Sequence, residues 1–108
     1  MSLPVPVALT LCVLLSGALS LASSAAAEPS DARGAALANA CAACHGPNGR
    51  SQGAIPSIDK LPAEDFTAAL HAFRAGGRPG TVMDRIAKGL DAADIRAVGR
   101  YFATLQKR

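Results

Sequence analysis

The chain has 108 residues, room for one small domain and no more. Lys and Arg outnumber Asp and Glu by 11 to 8, a net charge of +3 that singles out no class of partner, and no nucleic acid is expected. With three Phe, one Tyr and no Trp there is little bulky apolar material, and a domain this small needs a staple such as a disulfide, a metal or a cofactor.

From Met1 to Ala27 there is no Lys, Arg, Asp or Glu. The apolar run from Val5 to Leu21 ends in small residues, and Ala25-Ala26-Ala27 forms an A-x-A type site. Residues 1–27 are therefore expected to be a secretory signal peptide, although the segment before the run lacks the usual basic residue. Glu28 would begin the mature domain, residues 28–108, in the periplasm, with no stable membrane insertion after cleavage. The competing reading is an uncleaved anchor, since the run is nearly long enough to span a bilayer. Cys12 does not fit a lipidation site, because Thr10-Leu11 lacks the small residues that normally precede one. Once it leaves with the signal, only Cys41 and Cys44 remain.

Ser30 suits the N-cap of a first helix beginning at Asp31, whose charge complements the positive helix end. The Ala-rich stretch Ala32–Ala43 continues that helix into the cysteine pair, and Gly34, Ala35 and Ala38 are small enough for another helix to approach closely. Gly46 to Lys60 is rich in turn formers and reads as a loop, long enough to expect a function or a packing partner. Pro62 then fits the first turn of a second helix, with Phe66, Leu70 and Phe73 on one face. Gly76-Gly77 stops it. A short helix is expected over Val82–Lys88, ending at Gly89. Asp91, with Asp94 three residues on, caps a last helix whose buried face is Ile95, Val98, Phe102 and Leu105. No stretch alternates like a strand, so the fold class is all-α.

The stretch Cys41-Ala42-Ala43-Cys44-His45-Gly46 carries the chemistry. A thiol–disulfide switch at this spacing needs strands around it, and none are expected. A zinc site needs four ligands, and beyond Cys41, Cys44 and His45 the only other imidazole is His71. A structural disulfide would close a tiny loop and stabilise little. Covalent haem attachment needs what is present: two thiols spaced for the two vinyl groups of a porphyrin, then an imidazole beneath the iron.

A sixth ligand is sought among thioethers and imidazoles, and the mature chain offers Met83 and His71. Met83 follows the break Gly76-Gly77-Arg78-Pro79-Gly80, from which a loop reaches over the far haem face, although methionine also fills core gaps. His71 sits mid-helix, one position off the apolar stripe, where solvent is expected. Met83 is the preferred ligand. Pro56 is the candidate to hold the other ring nitrogen of His45 through its carbonyl, or it is an ordinary loop proline.

Helix, C-A-A-C-H-G, a loop with I-P-S, a helix, a methionine loop and a last helix with Tyr101-Phe102 together resemble a small class I c-type cytochrome over Asp31–Gln106. More narrowly, R-P-G-T-V-M-D-R-I-A-K-G, Arg78–Gly89, is similar to the monohaem cytochrome subunit of flavocytochrome c sulfide dehydrogenase. The resemblance implies about four helices around one haem c, attached at Cys41 and Cys44, ligated by His45 and Met83, with Pro56 in support. No flavin-binding segment is present, so sulfide chemistry would fall to another polypeptide.

The expected function is electron transfer, not catalysis. A flavoprotein dehydrogenase, such as a sulfide dehydrogenase, is the expected donor, and a terminal oxidase or another cytochrome the acceptor. Electrons would cross an exposed haem edge ringed by some of Lys60, Arg74, Arg78, Arg85 and Lys88. The alternatives are a general-purpose respiratory carrier, and a haem enzyme or gas sensor with an open axial position.

Overall fold

The computed structural model describes residues 29–108. The signal-peptide expectation and Cys12 lie outside them. Four helices follow in order: α1 Pro29–His45, α2 Ala63–Ala75, α3 Met83–Lys88 and α4 Ala92–Leu105. Among the described residues there is no strand, as expected for an all-α domain.

Ser30 is inside α1 and not ahead of it. Pro29 explains the difference, because its fixed φ and missing N–H suit the first turn of a helix. The other boundaries follow local chemistry. Pro62 precedes α2, Gly76 ends it in a left-handed conformation with φ 78°, and Asp91 with Asp94 forms a complete capping box at the start of α4.

The core is built on α4. Ile95, Val98 and Phe102 are almost fully buried, and Leu105 is half-buried at the end of the same stripe. Phe102 meets Phe66 of α2 with ring centroids 5.1 Å apart, and burying a ring of this size stabilises by roughly 2–3 kcal/mol. Leu70, Ala38 and Ala87 complete the buried cluster, with Phe73 partly buried beside them. Among the described residues, three of the eight buried apolar side chains are alanines (Ala38, Ala87 and Ala97), so the core they form is thin.

Two glycines set how closely the helices cross. A Cβ at Gly34 would lie 2.5 Å from the Ala97 carbonyl oxygen, so α1 and α4 touch backbone to backbone there. A Cβ at Gly99, also in α4, would lie 2.6 Å from Thr67 Cγ2 of α2. Glycine weakens a helix interior by about 1 kcal/mol relative to alanine, so each position trades local helix stability for a closer crossing.

The connection from α1 to α2 begins with a single 3₁₀ turn, Pro47–Gly49, and is otherwise loop. It is anchored by Ile58 N–H donating to Gly49 O at 2.8 Å and by Gln106 Nε2 donating to Leu61 O at 2.6 Å. Ile58 packs against the core. Among the described residues no helix is long and apolar enough to cross a membrane.

Candidate functional site

Cys41, Cys44 and His45 occupy the last turn of α1. Three positions apart on a helix, the two sulfurs share a face. Both are free thiols; Cys41 is half-buried against the core and Cys44 is exposed. Burial pushes the Cys41 thiol up from its ordinary value, so it is held as a neutral thiol. Among the described residues no group of three or more His, Cys, Asp or Glu side chains converges to hold a metal ion, so no zinc cage forms around the motif.

His45 is 8% exposed, the one buried polar or charged side chain among the described residues. Its Nδ1 lies 2.6 Å from the Pro56 carbonyl oxygen, which can only accept. Nδ1 therefore carries the proton, and in the neutral ring the lone pair sits on Nε2, the atom available to a metal.

Met83 is the first residue of α3 and is half-buried against the same core that Cys41 borders. His71 is exposed on α2, where it shares a groove of about 390 Å³ with Arg74 and Lys88. Ile55, beside Pro56, is 43% exposed; Val82, beside Met83, is 55% exposed; and Ile86 of α3 is 45% exposed. Apolar side chains left facing outward next to both His45's partner and Met83, over a core poor in large residues, fit a bulky apolar group such as a porphyrin.

Lys60 stands apart from Arg74 and Lys88. Lys60 lines a separate cleft of about 760 Å³ with Tyr101 and Leu105 at the end of α4, whereas Arg74 and Lys88 face the α2–α3 groove. The chain separates them because Lys60 belongs to the α1–α2 loop, which Gln106 ties to α4. Arg78 lies over the Phe73 ring, 4.6 Å from its centroid. Sequence reading also missed Ser51, Ser57 and Gln106, whose hydrogen bonds shape the loop carrying Pro56.

The cytochrome c family model matches residues 32–106. The cytochrome subunit of sulfide dehydrogenase from Chlorobaculum tepidum is 41% identical over 78 residues, covering 72% of this chain and 71% of that protein. The thiosulfate dehydrogenase electron acceptor of Stutzerimonas stutzeri is 36% identical over 72 residues, 63% of this chain but only 33% of that longer protein. Cytochrome c-553 of Desulfomicrobium norvegicum is 31% identical over 70 residues, 62% of this chain and 88% of that protein. The chain belongs to the cytochrome c family. Its cofactor is haem c, and its work is electron transfer rather than catalysis.

Proposed function

We propose that this chain is a periplasmic one-electron carrier whose single haem is joined to Cys41 and Cys44 and ligated by His45 and Met83. Bound there, the haem supplies a one-electron Fe(III)/Fe(II) couple. The chain's residues set its terms. The last turn of α1 presents both sulfurs and the imidazole together. Pro56 O holds the Nδ1 proton and leaves Nε2 free, and this hydrogen bond is the observation that carries the ligand assignment. Met83 offers a neutral thioether, which favours a higher potential than a second imidazole would. Were His45 and Met83 both to hold the iron, no position on it would be left for a substrate. Export rests on residues 1–27 acting as a cleaved signal.

The donor is a flavoprotein dehydrogenase that draws electrons from sulfide or a similar inorganic sulfur compound, and the acceptor is a terminal oxidase or another cytochrome. Similarity to a sulfide dehydrogenase subunit and to a thiosulfate dehydrogenase electron acceptor supports this reading. The similarity to cytochrome c-553 favours a second one, a general soluble carrier. Rapid mixing of the oxidised holoprotein with the flavoprotein and sulfide separates them. The first reading expects faster haem reduction than with sulfide alone, and no acceleration leaves the general carrier. A transient docking through cations will weaken steeply with added salt.

A further inference from the structure

The carbonyl that holds His45 comes from a stretch with few constraints of its own. Gln52, Gly53, Ala54, Ile55 and Pro56 are all exposed, and a Cβ at Gly53 would meet nothing within 4 Å. Among the described residues, none of the five takes part in a backbone–backbone hydrogen bond. The base of the loop is fixed outside this stretch, by Ile58 N–H on Gly49 O at 2.8 Å and by Arg50 Nε on Asp59 Oδ2 at 3.3 Å. Directly across the two ends of the stretch, one tie closes the loop: Ser51 N–H donates to Ser57 Oγ at 2.9 Å. The Ser51 hydroxyl in turn accepts from Gly53 N–H at 3.2 Å.

Ser57 directly follows Pro56, so its side chain and the Pro56 carbonyl flank the same peptide unit. Once Ser57 Oγ is held by the Ser51 amide, that unit cannot rotate freely, and its oxygen stays aimed at His45 Nδ1. Protein packing does not replace this tie, because Ser57 itself is exposed to the rest of the chain. We infer that Ser57 is a positioning residue for His45: its hydroxyl closes the Ser51–Ser57 loop and thereby orients the Pro56 carbonyl that fixes the imidazole. The inference rests on the proposed reading of His45 as the proximal ligand. A carbonyl that accepts strongly from Nδ1 makes Nε2 a better electron donor and so favours the oxidised metal. Loosening the tie should weaken that donation.

The test uses purified holoproteins carrying Ser57→Ala and Ser57→Thr. Two readouts apply: the oxidised-to-reduced ratio at a fixed ambient potential, and the exchange rate of the His45 Nδ1 proton in the reduced protein by NMR. Weakening one hydrogen bond predicts, for Ser57→Ala, a ratio lowered about threefold and exchange about tenfold faster. Ser57→Thr, which keeps the hydroxyl, should return both toward the parent. A Ser57→Ala protein with a lower unfolding midpoint but unchanged ratio and exchange would overturn the inference, since Ser57 would then only brace the loop. His45→Ala tests the underlying ligand reading separately. If it keeps a normal low-spin spectrum, that reading fails. If it loses the spectrum while Ser57→Ala changes nothing, the ligand reading stands and the positioning role falls.

Discussion

Arg33 Nε donates to Asp94 Oδ1 at 2.8 Å, joining α1 to α4 across 61 residues of sequence. The same carboxylate accepts from the Asp91 amide at 3.4 Å, while Asp91 Oδ1 accepts from the Asp94 amide at 2.7 Å. One side chain thus serves both the cap of α4 and its contact with α1. The Arg33 guanidinium, chiefly through its hydrogen bond, holds the Asp94 carboxyl below its ordinary value. A carboxyl depressed in the folded state stabilises fully above the ordinary aspartate pKa of about 3.9 and loses that contribution as pH falls through the folded value. Arg33 is 57% exposed, so screening keeps the effect modest. Arg33→Ala should lower the urea midpoint at neutral pH, and the two proteins' midpoints should converge as the pH drops below about 4. A gap unchanged down to acid pH would remove the pair from the account.

Gly34→Ala sets a gain in helix propensity of about 1 kcal/mol against a collision. The atom it meets is a backbone oxygen that no rotamer change can clear. A net loss of about 1–3 kcal/mol is expected, read from denaturant unfolding. Gly99→Ala meets a side-chain methyl of Thr67, which can shift slightly, so its loss should be the smaller of the two. The opposite order would mean that α1 and α4 separate more easily than their crossing implies.

Met83→Ala should abolish the sulfur-to-iron charge-transfer band of the oxidised protein, lower its potential and open the iron to added ligands. His71, exposed on α2, should do none of these when changed to Ala. Spectra of both variants in both redox states decide the sixth position, and the reverse pattern would assign it to His71.

The mature protein should begin at Glu28 and carry one haem that acid–acetone extraction does not remove. Intact mass of periplasmic material checks both points. A mass that includes Met1–Ala27 would favour a retained anchor, and extractable haem would rule out attachment at Cys41 and Cys44.

Much of this protein was legible without coordinates because its signals are local. Cys41, Cys44 and His45 are chain neighbours, and any helix carrying them puts both thiols on one face. The stops at Gly76 and Gly89, the box at Asp91 and Asp94, and the stripe Ile95, Val98 and Phe102 each depend on residues within one or two turns. Ser30 failed for a local reason as well, since Pro29 is itself a helix-starting residue.

Other relationships join residues far apart in the chain, and only the folded structure decided them. That the Pro56 carbonyl meets His45 depends on how an 11-residue span closes. The small residues Gly34 and Ala38 announce that a helix can approach, yet nothing in them names Ala97 as the partner. Of the basic residues from which the sequence draws a ring, Lys60 lies in one cleft and Arg74 and Lys88 in another groove, because Gln106 of the α4 end draws the Lys60 loop towards itself. Periodicity reports which side of a helix is apolar and which residues share a turn. Loop closure and helix crossing choose partners by the shape of the whole chain, and a single sequence carries no record of that choice.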